Sequence, residues 1–143
     1  MFSKVLLPVD LNHKASWSTA LQRAVEIVAM SKGELHVLSV TPDFGMAIVG
    51  EFFPENYEKM MLEKAAEKLQ AFADKNIGKK VTTKLHLAHG HVAEKILKSA
   101  EDLDIDLIVM ASHDPDRIRD FLVGSNAERI VRHSPVSVLI TRG

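Results

Sequence analysis

Short apolar runs alternate with longer amphipathic segments along the whole chain. Five runs have the length and apolar content of strands, at residues 5–9, 35–40, 81–87, 107–110 and 136–140. The segments between them place apolar residues at helical spacing; after Asp10, one such face is formed by Trp17, Ala20, Leu21, Ala24 and Val28. Since Gly33, Gly78 and Gly90 fall between these segments, the pattern predicts strands and helices in strict alternation.

Strands that alternate with helices of this length pair in parallel through right-handed crossovers. We therefore expect a single α/β domain over residues 1–143, with an open sheet covered by helices on both faces. The polar and apolar alternation at residues 81–87 favours an edge strand. In such sheets ligands bind beyond the carboxyl ends of the strands, where the strand order reverses. If the order is 3-2-1-4-5, Asp10 and Ser112 face each other across that crevice.

The composition argues against several classes of function. Of the 143 residues, 46% are hydrophobic and 26% charged, and the net charge is −1, so no basic surface for nucleic acid is expected. The lack of cysteine removes disulfide and thiolate chemistry. Because no apolar run is long enough for a signal sequence or a membrane span, the expected location is the cytoplasm.

The segment after the fourth strand ends in a helix start that suits an anion. The first N–H groups of this helix have no partner within it, so Gly124, Ser125 and Asn126 are predicted to contact phosphate. Ser125 and Glu128 also fit a capping box, in which the hydroxyl satisfies the helix and the Glu128 carboxylate disfavours phosphate. The two interpretations are compatible.

Asp10 also has two interpretations. An acid directly after a strand commonly caps the following helix. At the predicted switch point it also suits a ribose hydroxyl or a metal ion.

Other catalytic and metal motifs are not found in the sequence. A metal site formed by His86, His89 and His91 is disfavoured, because His86 and His89 point in opposite directions on an extended strand. There is no Gly-Lys-(Ser/Thr) phosphate loop and no Ser-His-Asp arrangement that spacing supports. No general base is assigned.

Three parts of the chain resemble the universal stress protein family. They are Val5-Leu6-Leu7-Pro8-Val9-Asp10, then Val37-Leu38-Ser39-Val40 with the Gly90 turn, and the ending from Gly124-Ser125-Asn126-Ala127-Glu128-Arg129 to Val136-Ser137-Val138-Leu139-Ile140. The resemblance spans essentially the whole chain. It implies a flavodoxin-like, Rossmann-like sheet of five parallel strands in the order 3-2-1-4-5, a dimer and, in many members, bound ATP.

The family motif for ATP is Gly-x2-Gly-x9-Gly-(Ser/Thr), and this chain resembles it only at the end. Gly124 and Ser125 match, whereas Ala111 and Asp114 stand at the first two glycine positions. The Asp114 carboxylate repels phosphates unless a metal ion or an arginine intervenes. Asp114-Pro115 resembles the Ser-His-x-Pro loop of a subgroup that lacks those glycines and still holds ATP.

The resemblance implies a set of contacts for the nucleotide. Pro8 and Val9 line the base and the backbone of Val40 bonds adenine. Ordinary core packing is the other interpretation of these residues, and the two are compatible. Their residue types and positions after the fourth strand, rather than the resemblance, make His113 and Arg117 candidates for the triphosphate. The alternatives are a satisfied polar residue for His113 and a solvated charged loop for Arg117. The predicted site comprises Pro8, Val9, Asp10, Val40, Ala111, Ser112, His113, Arg117, Gly124, Ser125 and Asn126. The expected ligand is ATP, with Mg²⁺ held through Asp10, and AMP is a second candidate.

The last strand predicts a homodimer. Val136, Val138 and Ile140 alternate in a strand at the sheet edge, and an open apolar edge favours pairing with a second copy. Burial of these side chains under the protein's own helices is the alternative. The apolar segment at residues 44–53, with Phe44 and Phe53 at its ends, either covers the base, joins this interface or docks the second helix.

Two classes of function follow from these observations. The preferred hypothesis is a dimeric, ATP-binding stress or regulatory protein that is not an enzyme beyond slow ATP hydrolysis, since no general base or metal-holding acid pair is assigned. The alternative is a dimeric interaction module of the same fold that holds no nucleotide because of Ala111 and Asp114.

Overall fold

The computed structural model describes residues 2–41, 57–112 and 125–142. The predictions for the segment 44–53 and for His113, Asp114, Arg117 and Gly124 therefore lie outside the described residues. Within the described ranges, the strands are β1 (Lys4–Val9), β2 (Glu34–Thr41), β3 (Thr82–His89), β4 (Leu107–Ala111) and β5 (Ser137–Thr141). The α-helices are α1 (Ser18–Ser31), α2 (Tyr57–Asn76), α3 (Val92–Asp102) and α4 (Ser125–His133), and a short 3₁₀ helix spans Lys14–Ser16.

The five strands form one parallel sheet in the order β3-β2-β1-β4-β5, which confirms the predicted order. Two hydrophobic clusters cover its faces. One joins the sheet to α1 and α2. The other joins it to α3 and α4. The molecule is thus the predicted single-domain α/β sandwich of three layers.

Burial follows the position of each strand in the sheet. In β1, Val5, Leu6 and Leu7 are fully buried, and every residue of β4 is buried, because helices cover both faces of the central strands. The edge strands β3 and β5 have exposed residues instead, as predicted for residues 81–87. Val136 precedes β5 rather than belonging to it.

The junction between α1 and β2 fixes where β2 starts. Lys32 ends α1 in the left-handed conformation, with φ of 57°, and its N–H bonds the Val28 carbonyl. Glu34 then donates its N–H to the Ser3 carbonyl at 2.8 Å. At Gly33 the chain passes so close to Ser3 that a β-carbon would collide with its backbone. Only glycine fits this approach.

Asp106 holds the amino ends of β1 and β4 together. Its carboxylate accepts the N–H groups of Ser3 and Lys4 at 2.9 and 3.1 Å and the Ser3 hydroxyl at 3.1 Å. In return, the Asp106 N–H bonds the Lys4 carbonyl at 2.9 Å. This side chain therefore sets the register with which β1 and β4 begin.

None of the helices in residues 2–41, 57–112 and 125–142 is both long enough and apolar enough to span a membrane.

The α1–β2 junction predicts opposite effects for two adjacent substitutions. Gly33→Ala forces the backbone away from Ser3 and is expected to lower the free energy of unfolding by about 1–3 kcal/mol. Lys32→Gly removes the cost of a lysine in the left-handed conformation, so it is expected to raise the free energy of unfolding by less than about 1 kcal/mol. Urea denaturation of both variants checks the pair; equal stability of Gly33→Ala and the wild type would contradict the close approach.

Candidate functional site

The crevice at the switch point starts where β1 and β4 cease to pair. Pairing of β1 with β2 continues to Val9, opposite Ser39. Pairing with β4 is confined to Val5 and Leu6. Pro8 has no N–H with which to extend a ladder. The carboxyl ends of β1 and β4 are therefore neighbours without being joined, and a ligand can enter between them.

Asp10 organises the loop that follows β1. Its carboxylate accepts the Asn12 N–H at 3.0 Å and lies 2.9 Å from Nδ1 of His13. The Asp10 N–H donates to the Ser16 hydroxyl at 3.1 Å, and that hydroxyl donates to the His13 carbonyl at 2.7 Å. The loop is thus held in one shape by hydrogen bonds that converge on Asp10 and Ser16.

The expectation that Asp10 caps the first helix is wrong. Helix α1 begins after Trp17, which makes no side-chain cap, and the Asp10 carboxylate bonds within its own loop instead. The side chain is 51% exposed, so its remaining lone pairs face solvent at the edge of the crevice. A carboxylate has about four such positions, and a ribose hydroxyl or a metal ion can still use them.

The strand residues of the predicted site pack largely into the core. Val9 and Ala111 are 5% and 8% exposed and pack in the cluster under α1 and α2. Val40 is half-buried and packs on the other face, with α3 and α4. Core packing therefore holds for these side chains, and it is compatible with a ligand in the crevice, so the predicted contacts stay a prediction. These residues can contact a ligand mainly through backbone atoms at the rim of the crevice.

Ser112 lies at the carboxyl end of β4 but its N–H is already in use. That N–H donates to the Thr141 carbonyl at 2.9 Å and thereby extends the pairing of β4 with β5. The half-buried Ser112 side chain is the part that remains for a ligand.

Helix α4 begins at Ser125, where the sequence predicts a helix start. Ala127 and Ile130 are fully buried and anchor the helix to the sheet, while Asn126 is half-buried. The Glu128 carboxylate lies 3.2 Å from the Arg132 guanidinium, one turn further along. The Ser125 side chain lies outside the described part of the chain, so the capping box stays a prediction. With Glu128 turned towards Arg132, the acid competes less with an anion at the helix start.

The three histidines considered for a metal do not converge. His86 contacts His36, which sequence analysis did not single out, with 2.8 Å between His86 Nε2 and His36 Nδ1. No group of three potential metal ligands occurs within residues 2–41, 57–112 and 125–142. The sequence does contain a signal for this contact, which is a histidine within the otherwise apolar run of β2. Because a buried histidine needs a polar partner, His36 could have predicted a second polar side chain nearby.

A cavity of about 820 Å³ opens at the opposite end of the sheet. It lies where β2 and β3 begin, beside the ends of α1 and α2, and its charged lining residues are Lys32, Asp74, Lys79 and Lys80. Because ligands of open parallel sheets bind at the carboxyl ends of the strands, we place the candidate site in the crevice instead.

Comparison with known proteins connects this geometry to one family. A model described as the universal stress protein family matches residues 1–142. Universal stress protein G of Shigella flexneri is 28% identical over 144 residues, which cover 99% of this chain and 100% of that protein. Among solved structures, the hypothetical protein MJ0577 has a TM-score of 0.73 at 28% identity, over 100% of this chain and 97% of that one.

Two further solved structures contain nucleotides. A universal stress protein in complex with cAMP has a TM-score of 0.68 at 20% identity, over 99% of this chain and 97% of that one. The universal stress protein from Archaeoglobus fulgidus in complex with dAMP has a TM-score of 0.68 at 19% identity, over 97% of both chains. At these identities the likeness shows a common fold.

The hydrogen bonds of Asp10 predict a local contribution to stability. Asp10→Ala removes the acceptor of the Asn12 N–H and the partner of His13, and is expected to lower the free energy of unfolding by about 0.5–1 kcal/mol. Asp10→Asn keeps an oxygen for the Asn12 N–H and is expected to lose less. Urea denaturation at pH 7 measures both; an Asp10→Ala variant as stable as the wild type would show that the carboxylate does not hold this loop.

Proposed function

The chain belongs to the universal stress protein family, and on that premise we propose that it is a regulatory protein that binds ATP in the crevice between β1 and β4. The family assignment confirms the resemblance seen in the sequence. The more specific resemblance to the Ser-His-x-Pro subgroup stays a prediction.

The proposal rests mainly on the early end of the pairing between β1 and β4. The two strands are adjacent, yet their pairing ends at Leu6, and Asp10 and Ser112 follow on either side of the gap. A helix start at Ser125 supplies N–H groups suited to phosphate. The cAMP and dAMP held by two proteins of the same fold support an adenine nucleotide as the ligand class.

Each part of the nucleotide has proposed partners. The base lies against Pro8 and Val9 and bonds the backbone of Val40. Asp10 receives the ribose or Mg²⁺, since a carboxylate oxygen is a ligand that Mg²⁺ prefers. The phosphates contact the loop and the helix start that follow β4, with Ser112, His113, Arg117, Gly124, Ser125 and Asn126 as partners. Bound Mg²⁺ would also offset the carboxylate of Asp114.

We propose that ATP acts as a signal rather than as a substrate. Binding would order the segments around the crevice and thereby change what the protein contacts, with at most slow hydrolysis. The cytoplasm is the proposed location.

One competing function has specific support. A nucleotide-free interaction module of the same fold is favoured by the Cβ of Ala111 and by the Ser112 N–H, which already bonds Thr141. Both reduce the number of backbone donors that a phosphate can reach from β4.

We propose a homodimer that pairs through the outer edge of β5. The side chains first predicted to form this interface, Val136, Val138 and Ile140, are partly buried against the protein's own core. The exposed apolar group of the strand is Leu139, at 37% exposure. The edge backbone and Leu139 are therefore the better candidates for contact with a second copy.

ATP binding is tested by isothermal titration calorimetry with and without Mg²⁺. We expect heat of binding for the wild type and at least a tenfold loss of affinity for Gly124→Val, because the valine side chain fills space that phosphate needs. Ala29→Val, an exposed change at the far end of α1, should bind as the wild type does.

The two possible failures of this experiment differ in meaning. No binding by the wild type at millimolar ATP would favour the nucleotide-free module. Binding by the wild type that Gly124→Val leaves unchanged would remove Gly124 from the site.

The dimer is tested by Leu139→Asp. Two aspartates across a symmetric edge repel each other, so sedimentation should show a monomer at concentrations where the wild type is a dimer. Met30→Asp, an equally apolar but 76% exposed position on α1, should remain dimeric. A dimer that survives Leu139→Asp would place the interface elsewhere.

A further inference from the structure

A chain of three titratable side chains crosses from β2 to the edge strand β3. Glu34 and His36 lie on β2 and His86 on β3, all on the sheet face that α3 covers. His36 is only 3% exposed, although nothing in the proposed nucleotide site uses it. A histidine at such depth needs partners for both ring nitrogens.

The partners of His36 are a carboxylate and a second imidazole. Its Nε2 lies 3.2 Å from Oε1 of Glu34, and its Nδ1 lies 2.8 Å from Nε2 of His86. The two rings are within 10° of parallel, and their centroids are 5.1 Å apart. Because the nitrogens are so much closer than the centroids, the rings meet edge to edge, as a direct N–H···N hydrogen bond requires.

The chemistry of these groups fixes the positions of their protons. Ionised Glu34 can only accept, so Nε2 of His36 carries a proton and donates to it. When both rings are neutral, Nδ1 of His36 has a lone pair and accepts the Nε2 proton of His86. One proton thus occupies the contact between the rings.

The hydrogen-bonded row of Glu34, His36 and His86 can accept one extra proton. That proton can reside on Nδ1 of His86, after which either ring can carry the charge while every hydrogen bond of the chain remains. A second extra proton would place N–H groups on both nitrogens of the 2.8 Å contact, which breaks it. The two rings therefore share the first extra proton through this contact.

The surrounding charges oppose the second proton. Lys84 lies 3.2 Å from Glu34 and stands opposite His36 in the ladder. From β1, Lys4 stands opposite Glu34. Helix α3 turns the apolar residues Ala93, Ile96 and Ala100 inward; its charged residues are Glu94, Lys98, Glu101 and Asp102, which are exposed, and Lys95, which is half-buried beside Gly90. Glu34 is thus the acidic member of this row of three side chains, and Lys84 and Lys4 flank it.

We propose that Glu34, His36 and His86 form a proton-sensitive tie between β2 and β3, which takes up one proton without rearrangement and opens with the second. The tie lies on the strand that ends at Val40 and Thr41, where the Gly90 N–H bonds the Thr41 carbonyl at 3.0 Å. Acid therefore loosens the edge strand beside the proposed adenine contact. The inference concerns pH response and does not depend on ATP binding.

The direction of the pH effect follows from the protons bound in each state. Burial, with the charges of His36 and Lys84, lowers the pKa of His86 below its usual 6.5. A group whose pKa is lower in the folded state stabilises the fold above its unfolded pKa, and that contribution is lost as the pH falls. Hydrogen bonds from His36 and Lys84 likewise lower the pKa of Glu34, so its contribution is lost at still lower pH.

The experiment is a comparison of stability against pH from 7.5 to 5. Once the pH is well below 6.5, the unfolded chain carries a proton on each histidine and the folded pair carries one fewer. In that range the folding equilibrium constant of the wild type should fall about tenfold more per pH unit than in a variant without the pair. His86→Gln is that variant, because an amide can donate to or accept from His36 and cannot titrate. His133→Gln, an exposed change on α4, is the matched control and should keep the wild-type slope.

Nitrogen NMR of the wild-type imidazoles gives a second measurement that needs no variant. The ring signals of His36 and His86 should change together, in two steps, with the second step accompanied by faster amide exchange in β3. The same pH slope in His86→Gln and the wild type would overturn the proposal. So would a folded protein at pH 5 in which each ring carries a proton on both nitrogens while amide exchange in β3 is no faster than at pH 7.5.

Discussion

Burial of β1 on both faces, at the place where the strand order reverses, determines where this protein can have polar chemistry. Val5, Leu6 and Leu7 have no exposed surface, and an unpaired polar group among them would cost several kcal/mol. Polar side chains therefore occur beyond the ends of the strand. At the amino end Asp106 binds the backbone of Ser3 and Lys4, and at the carboxyl end Asp10 closes a loop onto itself.

The same constraint explains why the candidate site has few side chains of its own. Residues at the ends of central strands are needed in the core, as Val9 and Ala111 are, so a ligand meets backbone, loop and helix start instead. Even backbone donors are partly in use, since the Ser112 N–H bonds Thr141. Under the proposed function, recognition of a nucleotide would rest on a small number of groups, of which Asp10 is one that the structure describes.

The fold could be predicted from the sequence because its signals are local. Apolar runs of strand length, helical periodicity and intervening glycines mark the elements, and the right-handed crossover restricts how they connect. The pairs of side chains could not be predicted in the same way. His36 and His86 are fifty residues apart and meet only once the register of β2 and β3 is fixed. Likewise, Asp10 sits where a helix cap is expected, yet its carboxylate bonds Asn12 and His13 within its own loop.

The unequal lengths of the strand ladders divide the sheet mechanically. Six residue pairs join β1 to β2 and eight join β2 to β3, whereas two join β1 to β4. Hydrogen-bonded ladders resist shear along their whole length, so three strands form one stiff plate and β4 with β5 forms another. The Asp106 carboxylate and the two ladder pairs join the plates at the amino end of the seam, and no ladder pair of the described residues joins them beyond Leu6. A ligand seated in the crevice would therefore act as a brace across the most compliant line in the sheet.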